Sequence, residues 1–260
     1  MNFLFEKVAI ITGASSGIGA GTAVHFATLG CSLALVGRNM EGLKKVAAEC
    51  EERGLEADQI LLVNTDVTRE HQVESAVAEV INKFHKIDIV VNSAGCLTYG
   101  GLESTSEVFD DVFQINVKSI FTVCKAVEPH VSKSKGVIIN VSSACSLRAS
   151  PGLMIYGMSK AAVDHMTKTL ALELAPKQVR VNAVNPGIIR TPIYEKTNTP
   201  WETTEEKMSI EGKKWHPLGR VGQVDDVAKA IAFLASDEGG FITGETLPVD
   251  GGRHISLPAM

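Results

Sequence analysis

The stretch Val8-Ala9-Ile10-Ile11-Thr12-Gly13-Ala14-Ser15-Ser16-Gly17-Ile18-Gly19 is a short apolar run that ends in a glycine-rich turn. A helix-patterned segment, from about Gly17 to Leu29, follows it directly. An uninterrupted apolar run bounded by a turn reads as a strand buried on both faces. Glycines let the chain turn tightly and let its backbone approach a phosphate closely. The helix that starts there presents free N–H groups and a partial positive charge. Strand, glycine turn and helix in that order open a βαβ unit built to bind a dinucleotide. The spacing is G-x-x-x-G-x-G, not the commoner G-x-G-x-x-G. A glycine turn alone reads equally well as a tight connection, and its place between the first strand and first helix tips the balance. Gly13, Ser15, Ser16, Gly17, Ile18 and Gly19 are the residues expected to cradle the ligand.

The same rhythm continues along the chain. Leu33–Val36, Ile60–Val63, Ile87–Val91, Val137–Val141, Val179–Val184 and Thr246–Val249 are further strand-like runs. Between them lie helix-patterned segments at about 40–53, 70–84, 106–131, 155–175 and 224–235. Seven buried strands joined through helices predict an α/β fold, a parallel doubly wound sheet with helices on both faces. No linker or repeat divides the chain, so residues 1–260 are expected to form one domain. One segment breaks the pattern. From Ile188 to Gly222 there is no strand, but there are three prolines, Trp201 and Trp215. A long stretch with little secondary structure in a compact domain is usually functional, and this one is expected to be a substrate lid.

Composition sets the outer limits. At 45% hydrophobic and 21% charged, 260 residues can bury a sizeable core. A net charge of −5 and the lack of a Lys/Arg-rich run argue against a nucleic-acid surface. No apolar run reaches the ~18 residues of a membrane span, and Met1 to Lys7 shows no secretory signal pattern. The five cysteines form no C-x-x-C pair and are odd in number, which suits reduced thiols. The expectation is an intracellular, cytoplasmic protein. The histidines show no metal-ligand spacing, so no metal site is expected.

A second stretch carries chemistry. In Tyr156-Gly157-Met158-Ser159-Lys160 the phenol and the amine lie four residues apart on a helix, and so project the same way. A phenol near its reference pKa of ~10 is a poor acid or base at neutral pH. A neighbouring ammonium is expected to lower that pKa. The pair then suits proton exchange between an alcohol and a carbonyl. By itself such spacing is usually packing and solubility.

Several further stretches fall in a telling order: Asn92-Ser93-Ala94-Gly95 after the fourth strand, Asn116 in the next helix, Ser142-Ser143 after the fifth strand, and Pro186-Gly187 after the sixth. With the glycine turn and Tyr156-x-x-x-Lys160, they resemble the short-chain dehydrogenase/reductase family over most of the chain. The resemblance implies a Rossmann-type oxidoreductase. It assigns proton exchange to Tyr156, ribose contact and pKa lowering to Lys160, substrate orientation to Ser143, and a lysine-linked water to Asn116. It places Asp66, with Val67, against the adenine, and Asn92, Ala94 and Gly95 beside the adenosine half. Pro186, Gly187, Ile189 and Thr191 fall where the nicotinamide carboxamide is held. A homotetramer or homodimer is implied too, packed through the helices of Asn116 and Tyr156.

The chain departs from the pattern in two places. Ser93 stands where the family often has a second Asn. More consequential is the end of strand two, Val36-Gly37-Arg38-Asn39, where an acid would bind the ribose diol of NAD. No acid is present, and Arg38 can pair with a 2′-phosphate. NADP(H) is therefore the expected cofactor ahead of NAD(H), with Arg38 and Asn39 at its adenosine end. The substrate is expected to be a small ketone, aldehyde or secondary alcohol, touching Ser143, Cys145 and Tyr156. Two rival readings remain at this point: a 3-oxoacyl-thioester reductase of the same family, and a cofactor-binding regulatory protein without turnover.

Overall fold

The computed structural model describes residues 4–197 and 205–256, so Trp201 lies outside the described residues. The strands are β1 (Val8–Thr12), β2 (Ser32–Gly37), β3 (Ile60–Asn64), β4 (Ile89–Asn92), β5 (Val137–Val141), β6 (Arg180–Pro186) and β7 (Thr246–Val249). They form one seven-stranded sheet in the order β3-β2-β1-β4-β5-β6-β7, with every pairing parallel. The expected doubly wound sheet is therefore what the chain forms. The chain steps outward from β1 to β2 and β3, then crosses back to β4 on the other side of β1 and steps outward the opposite way. This reversal opens a crevice at the carboxyl ends of the strands, where such sheets bind ligands.

The central strands β1, β4 and β5 are buried at every residue. Successive side chains point to opposite faces, and each face has its own core. Ala9, Ile11, Leu33 and Leu35 join one core, which includes Phe26 of α1 (Gly17–Thr28), Leu43 of α2 (Met40–Glu52) and Ile231 of α8 (Val224–Ala235). Val8, Ile10, Ala34 and Val36 join the other. That core includes Val77 of α3 (Glu70–Phe84), Val127 of α5 (Ser119–Ser134) and Val163 of α6 (Met154–Leu174).

Two expectations need correction. The single helix expected over 106–131 is α4 (Ser106–Phe113), then a five-residue π-helical turn from Gln114 to Lys118, then α5. The Ser119 N–H reaches back to the Gln114 carbonyl, one residue beyond the α-helical partner. Apolar periodicity runs on through such a turn, so a pattern search passes over it. The segment 188–222 is also more structured than expected. It holds a 3₁₀ turn (Pro192–Lys196) and a helix, α7 (Glu205–Trp215). Ile188, Met208 and Val221 form a small core there, with Tyr194 and Trp215 packed on it. Its two ends are pinned together: Gly222 N–H donates to the Ile188 carbonyl at 2.8 Å, and Arg190 N–H donates to the Gly222 carbonyl at 3.0 Å.

Candidate active site

Thr12 ends β1 with its hydroxyl turned toward the loop after β4. Ser93 and Ala94 donate their N–H groups to Thr12 Oγ1 at 3.1 and 3.2 Å. The clamp leaves no space for a side chain between the loops, because a Cβ on Gly13 would lie 2.8 Å from the Ala94 backbone. Gly13 also sits at φ +68°, where non-glycine residues are strained. A Cβ on Gly19 would lie 2.5 Å from the Gly13 carbonyl oxygen. Both glycines are therefore required by close backbone packing. At the start of α1, Ser16 makes no side-chain cap and the first turn carries no acid. The first N–H groups are left for a ligand, and an anion is what they suit.

A cavity of about 440 Å³ opens over this turn. At one end are Gly37, Arg38, Asn39, Asp66 and Val67. Along its middle lie Gly13, Ser15, Ser16, Gly17, Ile18, Ala94 and Gly95. At the far end are Ser143, Tyr156, Lys160, Pro186, Gly187, Ile189 and Thr191. The strand ends thus gather into one elongated hollow most of the residues singled out from the sequence. The donor set fits a dinucleotide: a guanidinium at one end, uncapped helix N–H groups in the middle, a phenol and an amine at the other.

Four of the expected site residues do not line the cavity. Gly19 lies beneath the glycine turn. Asn92 is buried in the sheet, its Nδ2 donating to Asn140 Oδ1 at 2.9 Å. Cys145 is half-buried, and its N–H donates to Ser143 Oγ at 3.1 Å. Asn116, fully buried in the π-helical turn, is the most informative. Its Oδ1 accepts from the Cys96 N–H at 2.9 Å, and its Nδ2 donates to the Cys96 carbonyl at 3.0 Å and to Ser159 Oγ at 3.1 Å. Both Nδ2 hydrogens are committed to protein partners. In the structure Asn116 ties α6 to the loop after β4, and only a lone pair of Oδ1 remains for the expected water.

At the Arg38 end, Asn39 caps α2 by accepting from the Gly42 N–H at 3.1 Å, so its amide oxygen serves the helix. Thr68 donates its N–H and hydroxyl to one Asp66 oxygen at 3.0 and 2.8 Å. Partial burial pushes the Asp66 carboxyl up. The Thr68 hydrogen bonds and the charges of Arg38 and Arg69 outweigh that and hold it below the usual carboxylate range. Arg38 is exposed and, among the described residues, makes no ion pair.

At the opposite end the electrostatics differ from the expectation. Burial dominates at Tyr156 and pushes its phenol well above the usual value. The nearby Cys145 pushes the same way, while a hydrogen bond with Ser143 pulls it down. Lys160 is 5% exposed, and burial lowers its ammonium from 10.5 to about 8, against the pull of Cys96 and Asp164. Its Nζ donates to the Val141 carbonyl at 2.9 Å and lies 5.8 Å from the centre of the Tyr156 ring. The expected depression of the phenol by the ammonium is thus overruled by desolvation, which disfavours both charged forms. A phenol so held stays protonated at neutral pH, as a donor to a carbonyl oxygen requires.

A family model described as enoyl-(acyl carrier protein) reductase matches residues 13–254. Over 252 residues the chain is 40% identical to the 3-oxoacyl-[acyl-carrier-protein] reductase FabG of Thermotoga maritima, covering 96% of this chain and 98% of that protein. A short-chain dehydrogenase/reductase of unknown function from Caenorhabditis elegans, solved with cofactor, superposes with a TM-score of 0.93 at 30% identity, covering 98% of this chain and 97% of that one. This chain belongs to the short-chain dehydrogenase/reductase family. It is an oxidoreductase of that family, with the nucleotide-binding Rossmann fold. A 3-ketoacyl-(acyl-carrier-protein) reductase from Brucella melitensis, solved with NADH, superposes with a TM-score of 0.85 at 36% identity, covering 96% of this chain and 99% of that one.

Some residues on the cavity wall escape a reading of the sequence. Cys96, Ile115 and Leu97 line it, as does Tyr194 from the 3₁₀ turn of the 188–222 segment. Tyr194 carried one signal, the Thr191-Pro192 pair ahead of it, since proline suits the first position of a helical turn. The clamp that Thr12 makes beneath the wall carried none, because it joins residues 81 and 82 positions apart. Among the described residues no cluster of metal-ligating side chains forms, and no helix is long and apolar enough to cross a membrane.

Proposed function

We propose that this short-chain dehydrogenase/reductase uses NADP(H) to interconvert a ketone or aldehyde and an alcohol, with Ser143, Tyr156 and Lys160 as its catalytic set. The observation that carries the reading is the cavity itself. It joins a phenol, a serine hydroxyl and a buried amine at one end to Arg38, with no acid at the end of β2, at the other. The cofactor supplies the hydride when bound. The rest falls to the chain. Tyr156 donates its phenolic proton to the carbonyl oxygen in reduction, and Ser143, already bonded to that phenol, orients the same oxygen. Lys160, with its ammonium near 8, holds a proton that exchanges readily close to neutral pH. Arg38 takes a 2′-phosphate, and the 13–19 turn the pyrophosphate. Gly187, Ile189 and Thr191 face the nicotinamide end.

The chain works as one domain in this reading, with 188–222 as the cap over its substrate end. Exposed Phe121 on α5 and Leu172 on α6, 57% and 79% accessible, support association into a homodimer or homotetramer through those helices. A second reading narrows the substrate to a 3-oxoacyl thioester, and 40% identity with the Thermotoga reductase favours it. Oxidation of NADPH and NADH is to be followed with a panel of ketones, aldehydes and 3-oxoacyl thioesters. NADPH-dependent turnover supports the proposal, and a strong preference for thioesters selects the second reading. Failure to oxidise either cofactor with any carbonyl sinks both.

A further inference from the structure

Where the cap rejoins the sheet, three pieces of chain meet around His216: the end of β6, the end of β7 and the end of α7. His216 is 3% exposed. Its Nε2 accepts the Ile188 N–H at 3.2 Å, and a Cβ on Gly187 would lie 2.7 Å from that same nitrogen. Gly187 donates its N–H to the Val249 carbonyl at the end of β7 at 3.1 Å, so the segment is held from two sides. The backbone of His216 is anchored as well, its N–H donating to the Gly212 carbonyl at 3.0 Å and its carbonyl accepting from Gly219 at 2.8 Å.

We propose that His216 is a positioning residue that holds the Gly187–Thr191 segment at the nicotinamide end of the cavity only while its imidazole is neutral. The argument is one of donors and acceptors. An imidazole accepts at Nε2 only when that nitrogen carries no proton. Protonation would set an N–H against the Ile188 N–H, and the hold would become a repulsion. The surroundings oppose protonation. Burial lowers the proton affinity of His216 most, and the charges of Arg253 and Arg220 lower it further; Asp250 and the Gly212 backbone pull the other way without reversing the balance. Asp250 is otherwise engaged, since its Oδ2 is bonded to the N–H and Nδ1 of His254 at 2.6 and 2.9 Å. Nδ1 of His216 has no partner among the described residues, so no carboxylate is bonded to the ring to stabilise the imidazolium. Since His216 titrates below its ordinary 6.5 in the folded chain, the hold is complete above about pH 6.5 and is lost as the pH falls through the folded value.

The inference rests on the proposed role of Ile189 and Thr191 at the nicotinamide, and its test separates the two. Hydrogen exchange at the Ile188 amide, expressed as protection relative to its intrinsic rate, needs no ligand. Cofactor affinity is measured alongside, by fluorescence titration of NADPH and NADH. His216→Gln keeps an acceptor near Nε2 and cannot be protonated in this range, whereas His216→Phe keeps the ring and removes the acceptor. In wild type, protection and affinity should each fall as the pH is lowered from 7.5 to 4.5, by up to about tenfold once the imidazole is protonated, the scale of one lost hydrogen bond. His216→Gln should show neither fall, and His216→Phe should be loose at both pH values. Equal pH dependence in wild type and His216→Gln, or unchanged protection of Ile188 on acidification, overturns the proposal. Should protection respond as expected while neither cofactor binds, the hold stands and the functional reading falls.

Discussion

Replacing Lys160 by methionine should abolish activity and, at neutral pH, relieve the folded state of a buried charge. The lysine is buried and its ammonium titrates at about 8 instead of 10.5. At ~1.4 kcal/mol for each tenfold change in proton affinity, that difference is worth about 3 kcal/mol against the folded state when both states are charged. The sign follows from proton counting. Between about 8 and 10.5 the unfolded chain holds the proton and the folded chain has released it. Stability therefore rises with pH across that window, and the penalty is present in full below it. Methionine fills a similar volume without a charge, although it gives up the hydrogen bond to the Val141 carbonyl. That loss shifts the stability by a constant, so the pH dependence is the cleaner quantity. Urea unfolding of wild type and Lys160→Met is to be compared from pH 7 to 10.5 at one protein concentration, since association alters apparent stability. The wild-type value minus the variant value should climb by about 3 kcal/mol. A flat difference would refute the reasoning, because the amine would then be solvated or paired in the folded chain. Lys160→Gln serves as a second variant should methionine disturb the fold.

Tyr156→Phe keeps the ring and should preserve folding and cofactor affinity while lowering turnover by roughly 10²-fold or more; near-normal turnover would exclude Tyr156 as the proton donor. Arg38→Ala should raise the KM for NADPH by roughly 10- to 100-fold and leave that for NADH almost unchanged, and equal losses for both cofactors would make Arg38 a mere surface charge. A Cβ at Gly37 would meet nothing closer than 3.6 Å, so adding Gly37→Asp is sterically admissible and should push preference further toward NADH. Thr12→Val removes the acceptor shared by the Ser93 and Ala94 N–H groups, and chemical unfolding should report a loss of about 2 kcal/mol or more, with weaker cofactor binding; an unchanged midpoint would show that the two loops do not need the clamp. Hydrogen exchange over 188–222 should slow when cofactor and substrate are both bound, and equal protection with and without them would count against a closing cap.

What is legible in the sequence divides along a physical line. The strands are readable because burial on both faces demands continuous apolar runs, and Val137–Val141 can be delimited to the residue. The glycine turn is readable because Gly13 and Gly19 are demanded by backbone geometry, which no other residue type satisfies. Features made by contacts distant along the chain leave no such mark. The Thr12 clamp joins β1 to the loop after β4, and the Asn116 amide spans from the π-helical turn to Cys96 and Ser159. Helix α7 escapes for a related reason. Its sequence is strongly charged, and Met208 is its one fully buried apolar side chain, so its apolar face is too narrow to register as a period.

The same line explains why spacing brings Tyr156 and Lys160 together while leaving their electrostatics unread. A separation of four on a helix is local, and it carries the two side chains to one end of the cavity. The direction of each pKa depends on how much water remains around the pair, which is a property of the assembled sheet, α6 and the loops above them. A solvated pair would let the ammonium draw the phenol down. Here burial raises the phenol and lowers the amine, so the two proton affinities move apart. The consequence is chemical. The resting site holds a neutral phenol ready to give a proton, which matches reduction of a carbonyl more directly than oxidation of an alcohol. Oxidation must first remove that proton against the cost of burying the phenolate. Reductive turnover should accordingly stay level with pH through the range where the phenol remains protonated, whereas oxidative turnover should still be rising at the alkaline end. A reductive rate that falls steeply between about pH 6 and 7.5 would mean that Tyr156 ionises far more easily than its burial allows.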